Sequence, residues 1–187
     1  MSRWRDWVGS RASDPRAVAY VATLHLEPDD DAVRWLTEQG TGGDADHARW
    51  ELRYARRAAG LLAAQRDALD DQTGSLVAAE MARSLARDPH IASSKRQVAE
   101  QQFNARLRAY GDALGRREAG RSMIWQLGRT LLGFAGSRGS ASDEVITHAG
   151  SLVSRYLADA NAALRLHFGA ANLPDDIVPS ALRTSSR

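Results

Sequence analysis

The chain contains no cysteine, which excludes disulfide bonds, thiol nucleophiles, cysteine-ligated zinc and iron–sulfur clusters. Strand signals are nearly absent, because β-branched residues are scattered and no stretch alternates apolar and polar residues over several positions. No apolar run is long enough to cross a membrane: residues 122–135 are interrupted by Gln126 and Arg129, whereas a bilayer needs about 20 apolar residues. These absences predict an all-α protein without a transmembrane segment.

The chain also lacks a large excess of either positive or negative charge. The 25 basic and 23 acidic residues leave a net charge of +2 and are mixed along the whole chain. A nucleic-acid binder usually concentrates positive charge on one surface, so this pattern disfavours a nucleic-acid partner. All but one of the basic residues are arginine and alanine is abundant, a bias typical of GC-rich coding sequence, which predicts a bacterial protein.

Familiar enzyme motifs are missing as well. Neither a G-x-S-x-G nucleophile elbow nor a Walker phosphate-binding loop occurs, so hydrolase and nucleotide-binding functions have no support. The prediction leans toward a protein that is not an enzyme. The N-terminus is charged but is not followed by the apolar run of about 7–15 residues found in signal peptides, which predicts a cytoplasmic location.

The 187 residues are enough for one compact domain, and we interpret residues 1–187 as a single-domain bundle of about five to seven helices. Residues 1–13 form an N-terminal arm, and residues 169–187 form a tail that docks or stays loose. Capping residues, prolines and glycines predict helices at about residues 15–26, 29–39, 44–71, 75–88, 94–117, 122–135 and 143–168.

Two of these helices have distinctive apolar patterns. Phe103, Leu107, Tyr110 and Leu114 are spaced as a narrow seam, which predicts that their helix packs against another helix. Residues 122–135 are apolar on nearly every face, which predicts a short central helix surrounded by the others.

Two histidine–glutamate pairs with a four-residue spacing suggest a metal centre, because that spacing places both side chains on one helix face. Two further glutamates could add lone carboxylates. The candidate ligands are His47, Glu51, Glu80, Glu100, Glu144 and His148. No Glu-x-x-His occurs, so the set departs from the pattern of di-iron bundles. The structural alternative is a solvated first helical turn for His47 and Glu51, and pairing with arginine for Glu80 and Glu100.

Arg49, Arg53 and Arg56 share one face of the third predicted helix. Such a row can bind phosphate or a nucleic-acid backbone. Alternatively, the row is a solvated face whose charges pair with Asp or Glu on a neighbouring helix.

Five tryptophans are many for this length, and tryptophan is enriched where proteins meet partners. Trp4 and Trp7 lie in the arginine-containing arm, which has no strong helix pattern of its own. They either fix the arm onto the bundle or contact another subunit, and we select them as candidate partner-binding residues.

The sequence therefore favours a non-enzymatic interaction or assembly protein that acts through self-association or a protein partner. One alternative is a metal-binding bundle protein or enzyme that uses the His/Glu pairs. A second is phosphate or nucleic-acid binding through the arginine row. The leading hypothesis requires no cofactor, and the first alternative requires a metal ion.

Overall fold

The computed structural model describes residues 13–68, 71–115, 121–137 and 141–169. Within these ranges the chain is all-α, as predicted, and no strand occurs. One short 3₁₀ turn at Ser93–Lys95 precedes α5. The helices are α1 (Pro15–Leu24), α2 (Asp30–Gln39), α3 (Ala45–Asp67), α4 (Asp71–Arg87), α5 (Arg96–Gly115), α6 (Met123–Ala135) and α7 (Asp143–Phe168). None of these helices combines the length and apolarity that crossing a bilayer requires.

Side-chain caps fix where most helices begin. Asp14, Asp29 and Asp44 accept hydrogen bonds from backbone N–H groups in the first turns of α1, α2 and α3, and Ser122 and Ser142 do the same for α6 and α7. A capping oxygen satisfies an N–H that has no partner inside the helix and contributes about 1 kcal/mol. These predicted helix starts are confirmed.

The boundary between α3 and α4 differs from the prediction. α3 ends at Asp67 rather than near Asp71, and α4 begins at Asp71 rather than after Ser75. The Ser75 hydroxyl donates to the Asp71 carbonyl oxygen at 2.8 Å inside α4 instead of capping a helix. A serine can play either role, so its presence alone does not locate a helix start.

The central helix of the bundle is α3. It packs against all six other described α-helices, and residues such as Leu52, Ala58 and Ala64 are fully buried. The short apolar helix predicted at 122–135 is present as α6, but the prediction that it is surrounded is wrong on one side. Met123 is 45% exposed and Arg129 is exposed. The apolar composition of α6 overstated its burial, because apolar residues also occupy its solvent face.

The seam of α5 faces the core as predicted. Phe103 and Tyr110 are buried, and Leu107 and Leu114 are half-buried against the same core. The helix that this seam meets is α3, with α6 alongside.

α6 and α7 form the most extensive helix pair, and they cross at two glycines. A Cβ atom added to Gly128 would lie 2.8 Å from the Gly150 nitrogen and closer still to the Ile146 carbonyl oxygen. A Cβ added to Gly150 would collide with the Ile124 carbonyl in the same way. The two backbones therefore touch directly, which only glycine permits.

Candidate functional site

A prominent concave feature of the described residues is a groove between α4 and α5. Both helices pack on α3 but barely contact each other, which leaves a groove of about 660 Å³. Its lining residues are Leu61, Gln65, Ala78, Met81, Ala82, Arg83, Leu85, Ala86, Arg96, Gln97, Ala99, Glu100, Phe103, Asn104 and Leu107. We call this feature the α4–α5 groove.

The floor of the α4–α5 groove is apolar, and its α4 wall carries small side chains. Met81, Leu85 and Phe103 are buried at its base. Alanines at 78, 82 and 86, four residues apart on α4, form one wall, so no bulky side chain fills the space between the helices. The groove therefore has an apolar base and stays open because the α4 side chains that face α5 are small.

Charged side chains lie along the rim of the groove. Arg83 pairs with Glu80 at 2.8 Å on α4. Arg96 and Glu100 stand one turn apart on α5 and are exposed. The rim is thus polar around an apolar floor, which is the general anatomy of protein–protein interfaces.

The structure separates the six candidate metal ligands. His47 and Glu51 do lie together, with 3.3 Å between His47 Nε2 and Glu51 Oε1, and Glu51 is only 2% exposed. However, both oxygens of Glu51 are engaged by Arg106, whose Nε donates to Oε2 at 2.9 Å and whose Nη2 pairs with Oε1. This buried carboxylate is therefore balanced by a guanidinium rather than left for a cation.

The other candidate ligands lie on separate surfaces. Glu80 is bound by Arg83, and Glu100 is on the rim of the α4–α5 groove. Glu144 is exposed on α7, and the ring of His148 stacks on Trp35 of α2 at 4.3 Å between centroids. Within the described ranges, no three His, Asp or Glu side chains converge as a metal-binding group. The geometric condition for a shared metal centre is not met.

His47 and Glu51 line a smaller polar pocket of about 310 Å³ with Trp50, Tyr54 and Arg106. Arg106 lies between the rings of Tyr54 and Phe134, 5.0 Å and 4.5 Å from their centroids. Its position is therefore fixed by stacking as well as by Glu51, and the group acts as a rigid polar contact between α3, α5 and α6.

The arginine row of α3 contacts the α1–α2 connection. Arg53 Nη2 lies 2.8 Å from both oxygens of Glu27, and Arg56 Nη1 donates to the Leu26 carbonyl oxygen at 3.1 Å. Arg49 approaches Asp30 at 3.6 Å. The Arg53 guanidinium holds the pKa of Glu27 below its ordinary value. The row thus holds the α1–α2 connection and the start of α2 against α3, and Arg53 is buried rather than solvated.

Trp4 and Trp7 lie outside the described residues, so their predicted role stays a prediction. Of the other tryptophans, Trp35, Trp50 and Trp125 are half-buried against the core. The Trp125 indole N–H also donates to Asp143 at 3.0 Å, which ties the start of α6 to the start of α7.

The most buried ion pair among the described residues could not be predicted from any sequence pattern. Arg57 of α3 and Asp88 at the end of α4 are 3% and 1% exposed and lie 2.7 Å apart. Burial alone would raise the pKa of Asp88, but the His90 N–H and the Arg57 guanidinium outweigh it and hold that pKa below its usual range. Because the two residues are 31 positions apart in sequence, no helical spacing could have linked them.

His25, just after α1 and half-buried, joins Arg57 and Asp88 in a polar cluster. Its Nε2 lies 2.5 Å from the Ser84 hydroxyl of α4. Burial, reinforced by the nearby Arg57 guanidinium, lowers the pKa of His25 to about 4. A histidine that stays neutral in this way is a structural contact between α1 and α4, and it is sensitive to acid.

Comparison with known proteins gives no relative: no family model, no curated protein and no solved structure matches the chain.

Proposed function

We propose that this chain is a helical interaction or assembly protein that binds an amphipathic helix of a protein partner in the α4–α5 groove. The observation that supports the proposal is the groove itself, which lies between two helices that stay apart and has the buried apolar side chains of Met81, Leu85 and Phe103 at its base. Bundle proteins commonly bind partner helices in such grooves, with anchors spaced by three and four residues.

The proportions of the groove favour bulky anchors. A volume of about 660 Å³ with an alanine wall on the α4 side leaves room for large apolar side chains of a partner. Burying one leucine- or phenylalanine-sized anchor is worth about 1.5–3 kcal/mol before the costs of association, so side chains of this size would make the main favourable contribution to binding. The structure gives less support to the alternatives, since the metal ligands are dispersed and the arginine row is engaged by Glu27 and Asp30.

The proposal can be tested by placing a photo-crosslinking residue at position 86 in cells that express the protein. We expect it to capture one helical segment of one protein, whereas the same residue at Ala158, on the exposed face of α7, should not capture it. The captured protein is then purified and its affinity measured against Ala82→Trp, which fills the groove, and against Ala158→Trp as the matched control.

The expected result is a complex that is lost with Ala82→Trp and kept with Ala158→Trp. Equal binding to both variants, or no crosslink specific to the groove, would contradict the proposal. Cytoplasmic location, bacterial origin and self-association remain predictions from the sequence.

A further inference from the structure

We infer that the helix bound by the α4–α5 groove is acidic, with carboxylates placed beside its apolar anchors at the end where α4 finishes and α5 begins. This inference rests on the proposed function, because it specifies the chemistry of the partner for the same groove.

Basic side chains concentrate at that end of the groove. Arg87 finishes α4, Lys95 lies in the turn before α5, and Arg96 is the first residue of α5 and lines the groove. All three are exposed, and none forms an ion pair with another described residue. Their charge is therefore available to a ligand.

Most acidic residues near this end are already neutralised. Asp88 is buried against Arg57, and Glu80 is paired with Arg83. Glu100 also lies on the groove rim, one turn further along α5. The balance of charge on the surface at this end is therefore positive.

The start of α5 adds to this positive potential. The N-terminal end of a helix carries roughly half a positive charge, which acidic residues in the first turn usually complement. The first turn of α5 contains no acidic residue, and the preceding 3₁₀ turn has none either. At the far end of the groove the lining polar groups are the neutral amides of Gln65 and Asn104. This asymmetry favours a ligand whose carboxylates lie at the α4–α5 connection.

Selection from a phage-displayed library of random 16-residue peptides on the full chain tests the inference. Peptides that bind the unmodified chain but not Ala82→Trp are retained, and their affinities are measured by fluorescence anisotropy. We expect Asp and Glu to be enriched beside Leu, Met, Phe or Trp at spacings of three and four. The triple variant Arg87→Glu, Lys95→Glu, Arg96→Glu should weaken the binding of these peptides about tenfold, because it removes three exposed ion pairs that each contribute modestly.

A matched charge control is Arg155→Glu on the exposed face of α7, which should leave affinity unchanged. Groove-dependent peptides that are neutral or basic would overturn the acidic inference while the proposed function stands. A dimer that Ala82→Trp abolishes would also overturn it, because the occupant would then be a second copy of the chain. If no selected peptide depends on the groove, the proposed function fails as well.

Discussion

The glycine contact between α6 and α7 gives a prediction in which two well-known effects oppose each other. Alanine is a better helix former than glycine by about 0.8–1.0 kcal/mol, so propensity alone predicts that Gly128→Ala and Gly150→Ala stabilise the protein. The structure predicts the reverse. The added methyl group at Gly128 would lie 2.8 Å from the Gly150 nitrogen and closer still to the Ile146 carbonyl oxygen, so rigid backbone atoms block it.

The size of the effect follows from how far the helices must move. Side-chain contacts this short do not occur, so α6 must retreat from α7 by roughly 1 Å, and a gap of that size forfeits about a quarter to a half of the dispersion energy across the interface. Overpacking of this kind typically costs about 1–3 kcal/mol and occasionally more. Because rigid backbone atoms block the methyl group, we expect the upper part of this range; after the helix-propensity gain of about 0.8–1.0 kcal/mol is subtracted, the net loss is about 1–2 kcal/mol for either substitution, or roughly 2–8 °C in the thermal midpoint of a chain this long.

Gly133 provides the matched control on the same helix. It is exposed and a Cβ there meets nothing within 4 Å, so Gly133→Ala should show the propensity gain alone, about 0.5–1 kcal/mol of added stability. The double variant Gly128→Ala, Gly150→Ala should lose less than the sum of the single losses, because one separation of the helices relieves both collisions. Urea and thermal unfolding followed by circular dichroism measure all four variants. A Gly128→Ala protein as stable as the unmodified chain would refute the reasoning.

Three further predictions concern the buried polar cluster and the N-terminal arm. His25 has a pKa of about 4 in the folded chain and about 6.5 when unfolded. Its neutral form therefore contributes stability above pH 6.5 that is lost as the pH falls toward 4. His25→Gln should flatten the fall in the urea unfolding midpoint between about pH 7 and pH 5. Asp88→Asn should lower the free energy of unfolding by about 3–5 kcal/mol, because it leaves Arg57 buried without a counterion. Adding Arg57→Met should restore most of that stability in urea unfolding. A double variant no more stable than Asp88→Asn would argue against an electrostatic cause. Trp4→Ala combined with Trp7→Ala should leave helicity intact but weaken assembly in native mass spectrometry, and an unmodified chain that stays monomeric at high concentration would rule this out.

Local chemistry explains why the helix starts were predictable. Asp14, Asp29, Asp44, Ser122 and Ser142 cap helices through hydrogen bonds to backbone groups two or three residues away, so the interaction is contained in a short stretch of sequence. Ser75 misled the prediction for the same reason. Its hydroxyl has a local partner inside the helix as well as outside it, and only the fold decides between them.

The candidate sites depended on distant contacts, and there the sequence was less informative. The spacing of His47 and Glu51 correctly placed them side by side, but Arg106, which neutralises Glu51, comes from another helix 55 residues later. The α4–α5 groove left no signature either. Its alanines look like ordinary helix-forming residues until the helices around them are seen to stay apart.

The sequence by itself determined that this chain folds into helices, where most of them begin, and that it has no cysteine chemistry, because these properties depend on composition and on neighbours within one turn. The tertiary structure decided which helix is central, that α6 keeps one face in solvent, which charges neutralise each other, and that a groove lies between α4 and α5. These features depend on how helices far apart in sequence approach each other, and helical periodicity records which face of a helix is apolar but not which helix covers it.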